Sequence, residues 1–452
     1  MAVATNALLT DLYQLNMMQA YLEAGETRTA VFEVFVRKLP AQRGFLIAAG
    51  LEQALDFLTN LRFSPAELDW LAASGRFGKN LIDYLAAFHF TGDVHAMPEG
   101  TVFFPDEPIL RVTAPLPQAQ LLESRLLNYL QFQTMVASKA ARMMLAAPGK
   151  LLVDFGLRRA HSGEAGLFAA RASYIAGFAG TATVTADMLF GIPIFGTMAH
   201  SFIEIHDDES AAFESFARAR PENLTLLIDT YDTEAAARKV VALAPRLAAA
   251  GIKVRAVRID SGDLAALSRR VRMILDEGGL GGVTIFVSGG LDEHTLASLT
   301  RDGAPIDGYG IGTSLTTSHD APSLDCVYKL QEYAGRPRRK RSAGKATWPG
   351  RKQVWRRFDA DGRMAGDVLS VEDDPQPGEP LIRQVMQAGR PIGPTPSLAQ
   401  ARTRAAQELE RLPPALRSLT PGASYPVTVA DALVQLAAEV DRRLESQQGA
   451  RK

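Results

Sequence analysis

Hydrophobic positions along the chain change their period several times, and the changes mark out elements. Near the start, Leu12, Leu15 and Met18 recur at helical spacing, with Thr10 as the residue that caps a helix beginning at Asp11. Residues 30–40 alternate instead, with Val31, Glu33 and Phe35 inside apolar-rich flanks, which predicts a strand. Three short extended pieces over 90–117 are divided by Pro98-Glu-Gly100 and Pro105-Asp-Glu-Pro108, and Ala119 to Met144 predicts one long helix. The middle of the chain then settles into a rhythm. Apolar runs at Leu151–Phe155, Ile192–Phe195, Leu224–Asp229, Val254–Asp260, Val283–Ser288 and Ile306–Gly312 alternate with helical stretches such as Thr233–Ala249. That spacing is the βαβ signature of a parallel sheet or barrel. Six such strands fall short of the eight in a closed barrel, so an irregular barrel and a doubly wound sheet both fit. Past Tyr333 come a basic, loop-like run at 335–341, a Pro-, Gly- and acid-rich stretch over 373–396, and helices near Ser397–Leu412 and Val427–Leu444. The last carries Leu433, Leu436, Val440 and Leu444 on one stripe.

Composition narrows the function classes. Among 452 residues, 49 Lys+Arg against 50 Asp+Glu leave a net charge of −1, which argues against a partner held by bulk positive charge, such as nucleic acid. With 47% hydrophobic and 22% charged residues the chain is expected to fold as a globular protein. The single cysteine, Cys326, rules out a disulfide framework and Cys-pair metal sites and suits a reducing cytoplasm. No membrane association is expected: the opening residues lack the pattern of a signal peptide, and the most apolar stretch, 172–202, is interrupted by Asp187, Pro193, His200 and several glycines.

Polar residues collect where the middle strands end. In order these are Asp154-Phe-Gly-Leu-Arg-Arg159, Gly196-Thr-Met-Ala-His200, Asp229-Thr-Tyr-Asp232, Arg258-Ile-Asp-Ser-Gly-Asp263, Ser288-Gly-Gly290 and Gly310-Ile-Gly-Thr-Ser314. Any one could be a turn or helix cap. Six in succession, with arginines and a histidine among them, point to the active face of a βα architecture. Gly289-Gly290 and Gly312-Thr313 leave backbone N–H groups open for a phosphate, while neither a P-loop nor a GxGxxG fingerprint is present. Asp229, Asp260 and Asp263 offer hard oxygen ligands of the kind Mg²⁺ takes alongside substrate phosphates, although Asp263 equally suits a helix cap. Arg258 can hold a carboxylate or phosphate in two parallel bonds, and His200 could serve as a nucleophile or base. Three other signals read as structural. The basic run Arg336–Arg341 is a solvated loop, Cys326 a buried thiol, and His206 with Asp207, Asp208 and Glu209 a solvated surface, since neighbours on a helix face different ways.

Together these segments resemble nicotinate phosphoribosyltransferase. The similarity runs from about residue 7 to about 440. It passes through Thr10-Asp-Leu-Tyr-Gln-Leu-Asn-Met17, Phe155-Gly-Leu-Arg-Arg159, Gly196-Thr-Met-Ala-His-Ser-Phe202 and Leu227-Ile-Asp-Thr-Tyr-Asp232. Arg258-Ile-Asp-Ser-Gly-Asp263, Gly310-Ile-Gly-Thr-Ser314, Val327-Tyr-Lys-Leu330 and Pro349-Gly-Arg-Lys-Gln-Val354 follow. The resemblance implies an α/β fold: an irregular (β/α) barrel of the type II phosphoribosyltransferase kind, with an N-terminal α+β domain and a C-terminal helical extension. The expected domains are 1–120, 121–333 and 334–452. It implies transfer of a phosphoribosyl group from 5-phosphoribosyl-1-pyrophosphate to nicotinate, as the first step of NAD salvage from nicotinate, with Mg²⁺, coupled ATP hydrolysis and a homodimer sharing its sites. Carried over, Tyr13 and Phe155 sandwich the pyridine ring, Tyr13 reaching a neighbouring subunit's site. Arg258 and Thr197 contact nicotinate. Arg158, Arg159, Ser288, Gly289, Gly290, Gly312 and Thr313 bind substrate, the glycines and Thr313 at the 5′-phosphate. Asp229 and Asp260 lie near Mg²⁺ and pyrophosphate, and His200 takes the phosphoryl group of ATP.

The related nicotinamide phosphoribosyltransferases carry Gly-Thr-Asp-Thr where this chain has Gly180-Thr-Ala-Thr183. An aspartate there would repel nicotinate, so Ala182 favours the acid over the amide. Quinolinate phosphoribosyltransferases are usually much shorter, and no cysteine cluster calls for structural zinc. A non-catalytic nucleotide-binding barrel would be expected to have lost one of Tyr13, Phe155, His200, Arg258 or Asp260, and a sugar-phosphate isomerase leaves Tyr13 and the 154–159 segment without a purpose.

Overall fold

The computed structural model of the chain describes residues 7–449 apart from 395, 421 and 423. These form two compact units, one from the chain up to Ser138 together with Ala321 onward, the other from Lys139–Asp320.

The first unit is built on a seven-stranded sheet in the order Arg336–Pro337, Cys326–Tyr333, Thr29–Val36, Pro108–Pro115, Asp93–Ala96, Arg383–Gln387, Arg390–Pro391, with all pairs antiparallel. Thr29–Val36 is the predicted early strand, yet it is buried from Ala30 onward rather than on one face only. Its Glu33 is fully buried because Lys352 pairs with it at 2.7 Å, and a paired charge tolerates burial that a lone one does not. A four-stranded sheet of Glu379–Pro380, Lys352–Phe358, Met364–Val371 and Val427–Val429 had no clear signature in the sequence. Arg356 on its second strand is enclosed between Asp367 at 2.6 Å and Glu408 at 2.7 Å.

Several sequence expectations for this unit change in detail. The first helix spans Leu12–Glu23 with Asp11, not Thr10, at its N-cap. Asp11 spends its carboxylate on the Ser124 hydroxyl at 2.6 Å, and Leu12 stays 53% exposed while Gln14, Leu15 and Met18 are buried. The expected helix 119–144 is two, Leu116–Leu121 and Glu123–Ala146, broken at Leu122. The basic run is not a solvated loop: Arg339 and Arg341 reach Asp441 at 3.2 and 3.4 Å, and Arg341 reaches Glu445 at 2.8 Å, on the last helix, Asp431–Gly449.

The second unit carries the predicted rhythm. Its six strands are all parallel, in the order Gly180–Thr181, Leu151–Asp154, Gly308–Ile311, Thr284–Ser288, Val254–Ile259, Leu224–Leu227. They curl into an open half-barrel with helices as crossovers, which settles the choice against a doubly wound sheet. The run expected at Ile192–Phe195 is reduced to one bridge, Thr181 to Ile194, and the edge position belongs to Gly180–Thr181, a strand too short to show a period. Asp232, Asp263 and Asp292 each cap the helix that follows, accepting the N–H three residues on at 2.7, 3.0 and 2.8 Å. Asp263 is therefore a cap. Among the described residues no helix is long and apolar enough to cross a membrane.

Candidate active site

The strands end within one or two residues of the polar segments, so parallel pairing delivers those segments to a common edge of the sheet. A cleft of about 460 Å³ opens there, lined by Phe155, Arg158, Arg159, Asp260, Ser288, Gly289, Gly290, Gly312 and Thr313. Nine of the expected residues thus line one cleft. Leu291, Asp292, Gly310, Ser314 and His319 complete the lining.

At its base, Asp260 follows the strand Val254–Ile259. Its Oδ1 accepts a short hydrogen bond from the Ser288 hydroxyl and lies 3.7 Å from Arg258 Nη2, while Oδ2 is 4.0 Å from His200 Nε2. Arg258 donates from Nη1 to Thr197 Oγ1 at 2.5 Å and to the Met198 carbonyl at 3.3 Å. Burial lowers its pKa against the opposing pull of Asp260 and Asp229. His200 starts the short helix His200–Glu204, with Nδ1 3.1 Å from Thr230 Oγ1. Thr197 and His200 therefore join the cluster through Arg258 and Asp260 although their segment forms no strand.

Asp229 braces the neighbouring turn, its Oδ2 accepting from the Asp260 N–H at 2.9 Å and the Ser261 hydroxyl at 2.6 Å. Its Oδ1 is buried with no hydrogen-bond partner among the described residues. A buried anionic oxygen in that state has lone pairs to give to a cation. Among the described residues no group of three or more His, Cys, Asp and Glu could hold a metal. That donor set, Asp229 with Asp260, fits Mg²⁺, which commonly takes one or two carboxylates and completes its shell with water and phosphate oxygens.

The glycine loops come close to neighbouring backbone and rings. A Cβ on Gly289, where φ is +95°, would sit 2.0 Å from the Asp260 carbonyl oxygen. A Cβ on Gly310 would sit 2.5 Å from the Phe155 ring. That ring also packs against Phe286, centroids 5.8 Å apart. Arg158 and Arg159 form an exposed 3₁₀ turn beside it and make no ion pair among the described residues, which leaves both guanidinium groups available to an anion.

Sequence reasoning gave Asp154 no role of its own. It is fully buried, accepts from Gly156 N at 2.8 Å and Thr181 Oγ1 at 2.7 Å, and burial raises its pKa to about 6. Its carbonyl accepts from Ala182 N at 2.8 Å, so one residue fixes both the 155–159 turn and the 180–183 segment. Its place before Phe155-Gly156 was the available signal. Tyr13 belongs to the other unit and does not line this cleft. It borders a separate hollow of about 390 Å³ with Leu9, Asp11 and Glu123. Its hydroxyl donates to Glu123 at 3.1 Å, and burial together with Glu123 pushes its pKa up to about 12. Cys326 is partly covered within its strand, and burial likewise raises its thiol pKa to about 12.

The described segments coincide with three family models: the nicotinate phosphoribosyltransferase N-terminal domain over residues 8–131, the family itself over 151–337, and its C-terminal domain over 375–437. A Mycobacterium tuberculosis protein named nicotinate phosphoribosyltransferase pncB2 is 49% identical over 430 residues, covering 95% of this chain and 92% of that one. The Homo sapiens nicotinate phosphoribosyltransferase is 33% identical over 517 residues, covering 96% of each. The crystal structure of human nicotinic acid phosphoribosyltransferase superposes with a TM-score of 0.85 at 32% identity, over 96% of this chain and 99% of that one. With its motifs in order, its half-barrel matched and relatives aligned along nearly its whole length, the chain belongs to the nicotinate phosphoribosyltransferase family.

Proposed function

We propose that this chain joins nicotinate to 5-phosphoribosyl-1-pyrophosphate, giving nicotinate mononucleotide and pyrophosphate. The observation that carries the reading is the cleft itself, where an aromatic ring, unpaired arginines, a carboxylate and two glycine loops meet on one sheet edge. The pyridine nitrogen lone pair forms the new bond to C1 as the C1–oxygen bond to pyrophosphate breaks, its electrons leaving with pyrophosphate. Positive charge develops on the ribose and negative charge on the leaving group, so the protein's task is orientation and electrostatic stabilisation. Phe155 supplies one face of the ring's slot, and Tyr13 of a second copy supplies the other in a homodimer. Arg258, held by Thr197, takes the nicotinate carboxylate. Ala182 leaves that carboxylate unopposed. Gly289, Gly290, Gly312 and Thr313 receive the 5′-phosphate, with Ser288 beneath them, and Arg158 and Arg159 meet the pyrophosphate.

Asp229 and Asp260 would hold Mg²⁺, which neutralises charge on the pyrophosphate oxygens when bound. His200 accepts the phosphoryl group of ATP on a ring nitrogen, with ADP leaving, and water later releases phosphate. The lone cysteine suits a reducing compartment, and we place the reaction in the cytoplasm. The test offers purified protein 5-phosphoribosyl-1-pyrophosphate, Mg²⁺ and equal nicotinate and nicotinamide, with and without ATP, and separates the products. Nicotinate mononucleotide, formed faster with ATP, is the expected result, and His200→Ala abolishes only the ATP-dependent increment. Nicotinamide mononucleotide as main product overturns the argument from Ala182; neither product overturns the activity.

A further inference from the structure

Behind the cleft lies a buried ionic cluster that none of these roles uses. Lys139 Nζ, on a side chain only 3% exposed, is 2.5 Å from Glu293 Oε2 and 2.8 Å from Asp320 Oδ1. Arg142, one helical turn along, reaches Glu293 Oε1 from Nε at 3.2 Å. Glu293 is wholly buried and opens the helix directly after Gly289–Asp292, while Asp320 directly follows the segment Gly312–His319. Both segments line the same cleft, through Gly289, Gly290 and Asp292 on one side and Gly312, Thr313 and His319 on the other. One ammonium group thus ties together, from inside, the two loops read above as the phosphate site.

Stability alone is a poor reason for such a cluster. Taking two charges out of water costs about as much as their attraction returns, and apolar residues of the same volume often serve as well. A defined geometry is what the ions add, and here there is backbone for them to hold. Ser318, between the short helix Thr313–Thr316 and Asp320, is buried with φ +44°, a left-handed conformation that non-glycine residues keep only when their surroundings enforce it. The Lys139–Asp320 ion pair lies two residues beyond that strained point.

We infer that Lys139 is a positioning residue that sets the spacing of the two glycine loops and so governs affinity for the phosphoribosyl substrate rather than for the pyridine. The inference rests on the function proposed above. Lys139→Met removes the cation and raises KM for 5-phosphoribosyl-1-pyrophosphate by at least about tenfold, the scale of a loop misplaced by less than an ångström. KM for nicotinate stays within about twofold on the same reasoning. Because the single variant strands a buried carboxylate and can fail to fold, the deciding protein is Lys139→Met with Glu293→Gln, which removes one charge of each sign from the cluster and leaves Arg142 and Asp320 as its remaining ions. The double variant, shown to be folded by a cooperative thermal melt, is expected still to show the raised KM. A double variant with wild-type KM for 5-phosphoribosyl-1-pyrophosphate, or equal increases in both KM values, overturns the inference. Calorimetric Kd for 5-phosphoribosyl-1-pyrophosphate, measured in parallel, carries the same comparison even in a chain that makes no mononucleotide. Failure of the activity and failure of the clamp are thereby read separately.

Discussion

Gly310→Ala tests the ring-binding geometry without touching a functional group. The added Cβ would lie 2.5 Å from Cδ2 and Cε2 of Phe155 and 3.1 Å from the Phe286 ring. Ordinary carbon contacts begin near 3.5 Å, so the Phe155 ring must retreat by about 1 Å. Its own backbone cannot follow freely, since Phe155 N is bonded to the Ile311 carbonyl at 2.8 Å. Overpacking of this size costs about 1–3 kcal/mol, which the fold can bear. If Phe155 is a wall of the nicotinate slot, the same displacement lowers kcat/KM for nicotinate by roughly tenfold to a hundredfold. KM for 5-phosphoribosyl-1-pyrophosphate should hardly move. The assay follows mononucleotide formation with each substrate varied at saturating concentrations of the other, beside a thermal melt. Phe155→Leu gives a control, because a smaller side chain makes room for the methyl: Gly310→Ala adds little loss in that background. A folded Gly310→Ala protein with wild-type kcat/KM for nicotinate would refute the placement of the ring against Phe155.

Three further outcomes follow from the same geometry. Gly289→Ala forces a Cβ to within 2.0 Å of the Asp260 carbonyl at φ +95°, so the loop must shift, and kcat/KM for 5-phosphoribosyl-1-pyrophosphate should fall by about a hundredfold in steady-state assays. Ala182→Asp introduces a carboxylate at the segment tied to Asp154. In competition assays the ratio of nicotinate to nicotinamide product should drop by at least about tenfold, and an unchanged ratio would separate Ala182 from selectivity. Asp154 has a folded pKa of about 6 against an ordinary 3.8, so the native state holds its proton more tightly than the unfolded chain. Its contribution therefore favours folding at low pH and is lost as pH rises from about 4 to about 6, by about 3 kcal/mol at most. Asp154→Asn should flatten that part of the stability profile in denaturant titrations, and an unaltered slope would count against the buried carboxylate as its source.

Legibility in the sequence followed periodicity. The runs at Leu224–Asp229, Val254–Asp260 and Val283–Ser288 became parallel strands because four or more apolar residues between helical stretches leave few other solutions. Gly180–Thr181 escaped notice because two residues carry no period; its place is fixed by pairing with Leu151–Asp154 and by the Asp154 side chain. Lys352–Phe358 was hidden for a different reason. Its Lys352 and Arg356 are charged, yet both are buried because Glu33, Asp367 and Glu408 lie elsewhere in the sequence to pair with them. Long-range ion pairs invert the usual meaning of a charged residue, and no window of a single strand reveals them.

At the cleft, residue types were legible and the division of labour was not. Asp229, Asp260 and Asp263 stood as three comparable carboxylates at strand ends. One or two residues of offset from the strand terminus separate them completely. Asp260, the first residue after its strand, keeps an oxygen 4.0 Å from His200; Asp229, two past its strand, turns to brace Ser261 and the Asp260 N–H. Asp263 lies far enough on to cap the next helix. The same logic applies to Lys139, which lies inside the long helix Glu123–Ala146 with nothing in its own helix to mark it. Its partners, Glu293 and Asp320, are each the residue next to a cleft-lining loop. A residue one position beyond a functional segment is a natural anchor for it: near enough to transmit position, and turned away from the ligand.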